Sequence, residues 1–189
     1  MAAHLPNGPA CRLLVMGVAG CGKSTLAAKL AQGLGGQLIE GDDYHPAANV
    51  DKMRRGIALE DADRLPWLDL LGVRLAASTG PAVLTCSALK RSYRERLRAA
   101  VPGLRVVFMA LDQEEATRRL GARQGHFFHP QLVVSQFVAL ESPVGEPGVF
   151  RVSSLLSLPE QMAAVANWLL STAQAGASMA LSHSDLAFP

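Results

Sequence analysis

The chain has little of what marks a nucleic-acid or membrane protein. Its 18 lysines and arginines are nearly matched by 16 aspartates and glutamates, leaving a formal net charge of +2. That is too small for a polyanion or an anionic lipid surface to be the main partner. Aromatic residues make up only 5% of the chain, so no basic face carries interleaved rings on which bases would stack. No apolar run approaches the roughly 20 residues that cross a bilayer. The first nine residues have no basic stretch leading into an apolar core, so no secretory signal is expected. The three cysteines, Cys11, Cys21 and Cys86, are scattered and show no CxxC spacing. This argues against a disulfide framework or a structural zinc site and for a reducing compartment. The expectation is a cytoplasmic protein whose partner is a small molecule, not nucleic acid or membrane.

What is present suits one domain. Hydrophobic residues are 49% of 189, enough for a sizeable core. Residues 1–10 and the Ala/Ser-rich, aperiodic stretch 172–189 read as disordered tails around a domain over 11–171.

The segment Gly17-Val18-Ala19-Gly20-Cys21-Gly22-Lys23-Ser24 has the G-x-x-x-x-G-K-S spacing of a phosphate-binding loop. Its glycines let successive N–H groups turn toward phosphate oxygens. The following helix, which opens through Thr25, adds its positive N-terminal end. Lys23 is expected on the β/γ-phosphates of ATP and Ser24 on Mg²⁺. The apolar run Leu13–Met16 precedes the loop as a strand, and Leu26, Leu30 and Leu34 then line one helical face. Cys21 reads as a small filler whose thiol leaves the site open to oxidation or alkylation.

Further apolar runs predict strands at 37–40, 81–86, 104–111 and 149–152, with helices at 46–56, 64–78, 90–100, 112–119, 131–140 and 158–170. Continuous apolar strands alternating with helices predict an α/β fold with a parallel sheet covered on both faces. Ligands of such sheets bind beyond the strands' carboxyl ends.

Polar residues collect there. Glu40-Gly41-Asp42-Asp43-Tyr44-His45 follows the second strand. One of its carboxylates suits the proton of a substrate hydroxyl, and another the Mg²⁺ shell. Asp61 is expected as a helix N-cap. Arg64 near that helix start opposes the helix dipole, which an anionic ligand would explain. Ser87, Lys90 and Arg94 follow the third strand as contacts for a hydroxyl or a phosphate. Asp112, with Glu115 three positions on, reads as a capping box. Arg119 and Arg123, four apart and flanked by Gly121 and Gly125, read as the cations of a lid at about 121–131, with His126 beside them.

MGVAGCGKST (16–25), GDDYHP with Asn49, DADRLPWL (61–68), CSALKRSYR (86–94) and RLGARQGHFF (119–128) with Gln136-Phe137 and Leu140-Glu141 occur in this order. The set resembles the gluconokinases, small sugar-acid kinases of the shikimate-kinase-like branch, over residues 12–152. The resemblance implies a three-layer P-loop kinase fold with a five-stranded parallel sheet, a helical substrate-binding segment and a mobile lid. It implies ATP-dependent phosphorylation of D-gluconate at the 6-hydroxyl and suggests a homodimer. Lys23, Asp42 and Arg123 become the catalytic residues, with Asp42 as base. Residues 17–25, Arg119 and Arg123 would hold the nucleotide, and Ser24 and Glu40 the Mg²⁺. Asp42, His45, Arg64, Ser87, Lys90, Arg94 and His126 would bind the acid.

This chain departs from the family pattern in having Glu40 for Asp, Ala58-Leu59-Glu60-Asp61 for Pro-Leu-Asn-Asp, and Ala19 and Cys21 for Ser. The alternatives are a kinase of another small hydroxy acid, such as shikimate, or a nucleotide-binding regulatory protein without turnover.

Overall fold

The computed structural model describes residues 11–121 and 132–184, with side-chain surroundings as far as residue 174. Five strands alternate with helices: β1 Arg12–Met16, β2 Gln37–Glu40, β3 Ala82–Thr85, β4 Arg105–Ala110 and β5 Val149–Ser153. They form one sheet in the order β2-β3-β1-β4-β5, and every pairing is parallel. The helices are α1 Lys23–Leu34, α2 Ala47–Arg54, α3 Asp61–Ala76, α4 Arg91–Ala100, α5 Gln113–Gly121, α6 Leu132–Ala139 and α7 Leu158–Ser184, with a 3₁₀ turn at Gly41–Tyr44.

Strand side chains alternate between the two faces, which makes three layers. Leu13 and Val15 of β1 pack with Leu26, Leu30 and Leu34 of α1 and Val165 and Leu169 of α7. Leu14 and Met16 face the other way, toward Leu68, Leu71 and Leu75 of α3 and Leu97 of α4. These four β1 side chains, Leu13–Met16, are fully buried, which is why this part of the strand reads as an unbroken apolar run.

Three local expectations need correction. Helix α3 begins at Asp61 with Glu60 as its N-cap. Asp63 accepts the Glu60 N–H at 2.8 Å, so the Asp61 carboxylate is left for other partners. Asp112 does cap α5, accepting the Glu115 N–H at 2.8 Å. The Glu115 carboxylate does not return the bond; it pairs with Arg118 and Arg119, which pull its pKa down to about 2. Finally, α7 continues to Ser184, so the tail expected to be disordered from 172 is helical over 172–184. The extension is rich in Ala and contains no proline, so every residue of it keeps the backbone N–H that a continuing helix needs.

Candidate active site

The loop after β1 takes its shape from its glycines. Gly17 has φ of 145°, and a Cβ there would lie 2.8 Å from the Met109 carbonyl oxygen on β4. Gly22, with φ of 94°, turns the chain into α1. Lys23 Nζ donates to the carbonyls of Gly17 and Val18, both at 3.1 Å. Ala19, Gly20, Gly22, Lys23, Ser24 and Thr25 line a cleft, whereas Gly17, Val18 and Cys21 are buried behind its surface. Burial pushes the Cys21 thiol above its ordinary pKa. The expected openness to alkylation is therefore corrected: the thiol is enclosed and protonated at neutral pH.

Ser24 and Glu40 are brought together. Ser24 Oγ donates to Glu40 Oε2 at 3.0 Å. Thr85 Oγ1 donates to the same oxygen at 2.6 Å and accepts the Gly41 N–H at 3.1 Å. The β2–β3 register, with Glu40 opposite Thr85, makes this contact. One hydroxyl and one carboxylate suit Mg²⁺, which takes few protein oxygens and completes its octahedron with water and phosphate. Among the described residues no three His, Cys, Asp or Glu side chains cluster as a metal cage.

The segment after β2 is pinned from both sides. A Cβ on Gly41 would stand 2.2 Å from the Thr85 carbonyl oxygen, so only glycine fits against β3. Trp67 Nε1 donates to the Gly41 carbonyl at 2.8 Å. This leaves Asp42 lining the cleft while Asp43 does not. His45 also lines it, stacked on Trp67 with ring centroids 4.0 Å apart. Burial lowers the His45 pKa, so the imidazole is neutral at pH 7.

Arg64 lines the cleft with its guanidinium 5.9 Å from the centroid of the Tyr93 ring. It has no ion pair among the described residues, whereas its neighbour Asp63 is held by Lys52 at 2.7 Å. Ser87 lines the cleft too.

Lys90, Arg94 and Arg119 do not. Lys90 Nζ reaches Asp61 at 2.7 Å, and the Tyr93 hydroxyl donates to the same carboxylate. Arg94 is fully buried. It donates to the carbonyls of Ala88 at 2.9 Å and Leu89 at 2.8 Å, to that of Glu141 at 3.0 Å, and to the Glu146 carboxylate. Its expected contact with substrate is corrected: it braces the turn that carries Ser87. Arg119 is held by Glu115 at 2.7 Å and the Ser154 carbonyl at 3.0 Å. Arg123, His126 and most of the expected lid lie outside the described residues.

Thr85, Gln136 and an apolar wall of Met53, Leu59, Leu89 and Leu132 also line the cleft, though no motif in the sequence marks them as functional. Gln136 lay inside a stretch shared with the family but carried no chemical signal of its own.

The family described as an AAA domain matches residues 13–141. A gluconokinase of Gluconobacter oxydans is 49% identical over 145 residues, 75% of this chain and 81% of that protein. The thermosensitive gluconokinase of Escherichia coli is 42% identical over 133 residues, 69% of this chain and 71% of its own. A crystal structure of a gluconokinase from Sinorhizobium meliloti superposes with a TM-score of 0.83 at 39% identity, covering 90% of this chain and 98% of that one. The Mycobacterium tuberculosis APS kinase, with AMPPNP and APS, superposes at 0.62 with 21% identity over 87% of this chain and 99% of its own, a likeness of fold.

Proposed function

The chain belongs to the gluconokinase family, and from that premise we propose that it transfers the terminal phosphoryl group of ATP to the 6-hydroxyl of D-gluconate, giving 6-phospho-D-gluconate and ADP. The observation that carries the reading is the composition of one cleft. Lys23 and Ser24 of the phosphate loop, the Asp42 carboxylate and the Arg64 guanidinium, which has no ion pair among the described residues, all open onto it.

Each side chain has a task suited to its chemistry. The loop N–H groups and Lys23 hold the phosphates and offset the charge that spreads over the oxygens in transfer. Ser24 and Glu40 would hold Mg²⁺, which adds positive charge to the β/γ-phosphates. Asp42 accepts the proton of the attacking hydroxyl. Arg64 takes the sugar-acid carboxylate, for which a planar guanidinium offers two parallel N–H bonds. Neutral His45, flat on Trp67, presents a ring nitrogen to the sugar hydroxyls. Arg123, outside the described residues, is assigned by the family resemblance as a further cation for the phosphates. We also place the enzyme in the cytoplasm as a homodimer. No described helix is long and apolar enough to cross a membrane, and the thiols are unpaired.

The test is a coupled ADP-release assay with Mg·ATP and gluconate, shikimate and other aldonates. Turnover confined to gluconate is expected. Turnover on another acid would overturn the substrate, and ATP binding without turnover would overturn the enzyme. Lys23→Ala is expected to stay folded and lose several orders of magnitude in kcat.

A further inference from the structure

Gln136 is a polar side chain of the cleft that the reading above does not use. Helix α6 is fixed over the phosphate loop by its apolar residues. Leu132 packs on Met53 and Leu59, and Val133 is buried in the cluster that holds Val18, Cys21 and Leu89. That docking leaves Ser135 and Gln136 on the cleft.

Gln136 Oε1 accepts the backbone N–H of Ala19 at 2.6 Å. Ala19 stands in the loop beside Gly17 and Val18, whose carbonyls hold Lys23 Nζ. The anchor is therefore at the end of the loop where Lys23 meets the β/γ-phosphates. A primary amide carries an acceptor on one side and two N–H donors on the other. With the oxygen held on the loop, Nε2 forms no hydrogen bond among the described residues, and its side chain lines the cleft.

We propose that Gln136 is a further catalytic residue: with Oε1 anchored on the Ala19 N–H, its Nε2 donates a hydrogen bond to a terminal oxygen of the phosphoryl group in transfer. The inference rests on the kinase reading above. In that step the bond from the γ-phosphorus to the bridging oxygen breaks, with its electron pair going to ADP. A new bond forms to the hydroxyl oxygen, and Asp42 takes the hydroxyl proton. Gln136 moves no proton. It supplies a neutral donor already oriented where charge spreads over the phosphoryl oxygens, so no reorganisation is needed at the moment of transfer.

The test uses the full chain and three measurements: kcat, the affinity for ADP, and the affinity for Mg·ADP with aluminium fluoride, a mimic of the phosphoryl group in flight. Gln136→Ala is expected to bind ADP within twofold of the parent. Its kcat should fall on the order of tenfold to a hundredfold, somewhat less than a full oxyanion donor supplies, and its fluoride complex should weaken alongside. Gln136→Glu keeps an acceptor for the Ala19 N–H but has no donor, and should fall at least as far.

A kcat within twofold for Gln136→Ala overturns the inference. So does a loss of ADP affinity as large as the loss of kcat, since the side chain would then only support the loop. The parent enzyme is assayed first on the panel of acids. If it turns over an acid other than gluconate, the comparison is made on that acid. If it turns over none, the fluoride complex alone decides, and unchanged affinity in Gln136→Ala overturns the inference.

Discussion

The carboxylate of Glu40 accepts the hydroxyl hydrogen bond of Ser24 at 3.0 Å, which ties the last residue of β2 to the first turn of α1. The pair sits where a cation between the phosphates and the protein would be held. Glu40→Ala is expected to raise the Mg²⁺ concentration for half-maximal activity by roughly tenfold to a hundredfold, the range seen when a supporting partner of a metal site is lost. The check is a Mg²⁺ titration at fixed ATP; an unchanged midpoint would remove Glu40 from the cation site.

Two arginines that look alike in the sequence should behave oppositely. Arg64 is a cleft cation without a carboxylate partner among the described residues, so Arg64→Ala should raise KM for the acid about tenfold or more and leave KM for ATP nearly unchanged. Equal losses for both substrates would refute the carboxylate role. Arg94 is buried on Glu146 and three carbonyls. Arg94→Ala leaves the three carbonyls without their donor and Glu146 with Arg98 alone at 2.8 Å, and should cost about 1–3 kcal/mol of folding stability, read by urea unfolding. A stable Arg94→Ala that had lost only acid affinity would restore it as a substrate residue.

The thiols should be poor targets. Burial raises all three thiols, Cys86 up to about 12, Cys21 and Cys11, but Cys11 alone is part-exposed. Alkylation of the native protein at pH 8, followed by peptide mass spectrometry, should label Cys11 first and leave turnover intact. Fast inactivation with label on Cys21 would contradict the closed packing of the loop.

His45 gives a pH dependence of definite sign. Its pKa in the fold lies below the ordinary 6.5 because burial disfavours the imidazolium. Above that value the ring is neutral in both states and contributes nothing. Below it the unfolded chain binds a proton that the fold refuses, so stability falls as pH falls. His45→Phe keeps a ring on Trp67 and removes this loss. Its thermal midpoint should drop less than the parent's between pH 6.5 and 5; parallel curves would rule out the buried neutral ring.

The α/β layering and the phosphate loop are legible in the order of residues alone. Both depend on neighbours along the chain: runs such as Leu13–Met16 are apolar because both faces of the strand are covered, and the loop builds its cradle from eight consecutive residues. Where each charge goes is set by long-range packing. Lys90, Arg91 and Arg94 look equivalent in a basic helix. Yet Arg94 is buried because a segment about 50 residues later folds over it and brings Glu146, and Lys90 is taken by Asp61 from α3. Thr85 reaches Glu40 through strand register, and Gln136 reaches Ala19 across 117 residues. A long polar side chain can pair with any partner within reach, so its role is set by what the fold places opposite it, and spacing along the chain does not record that.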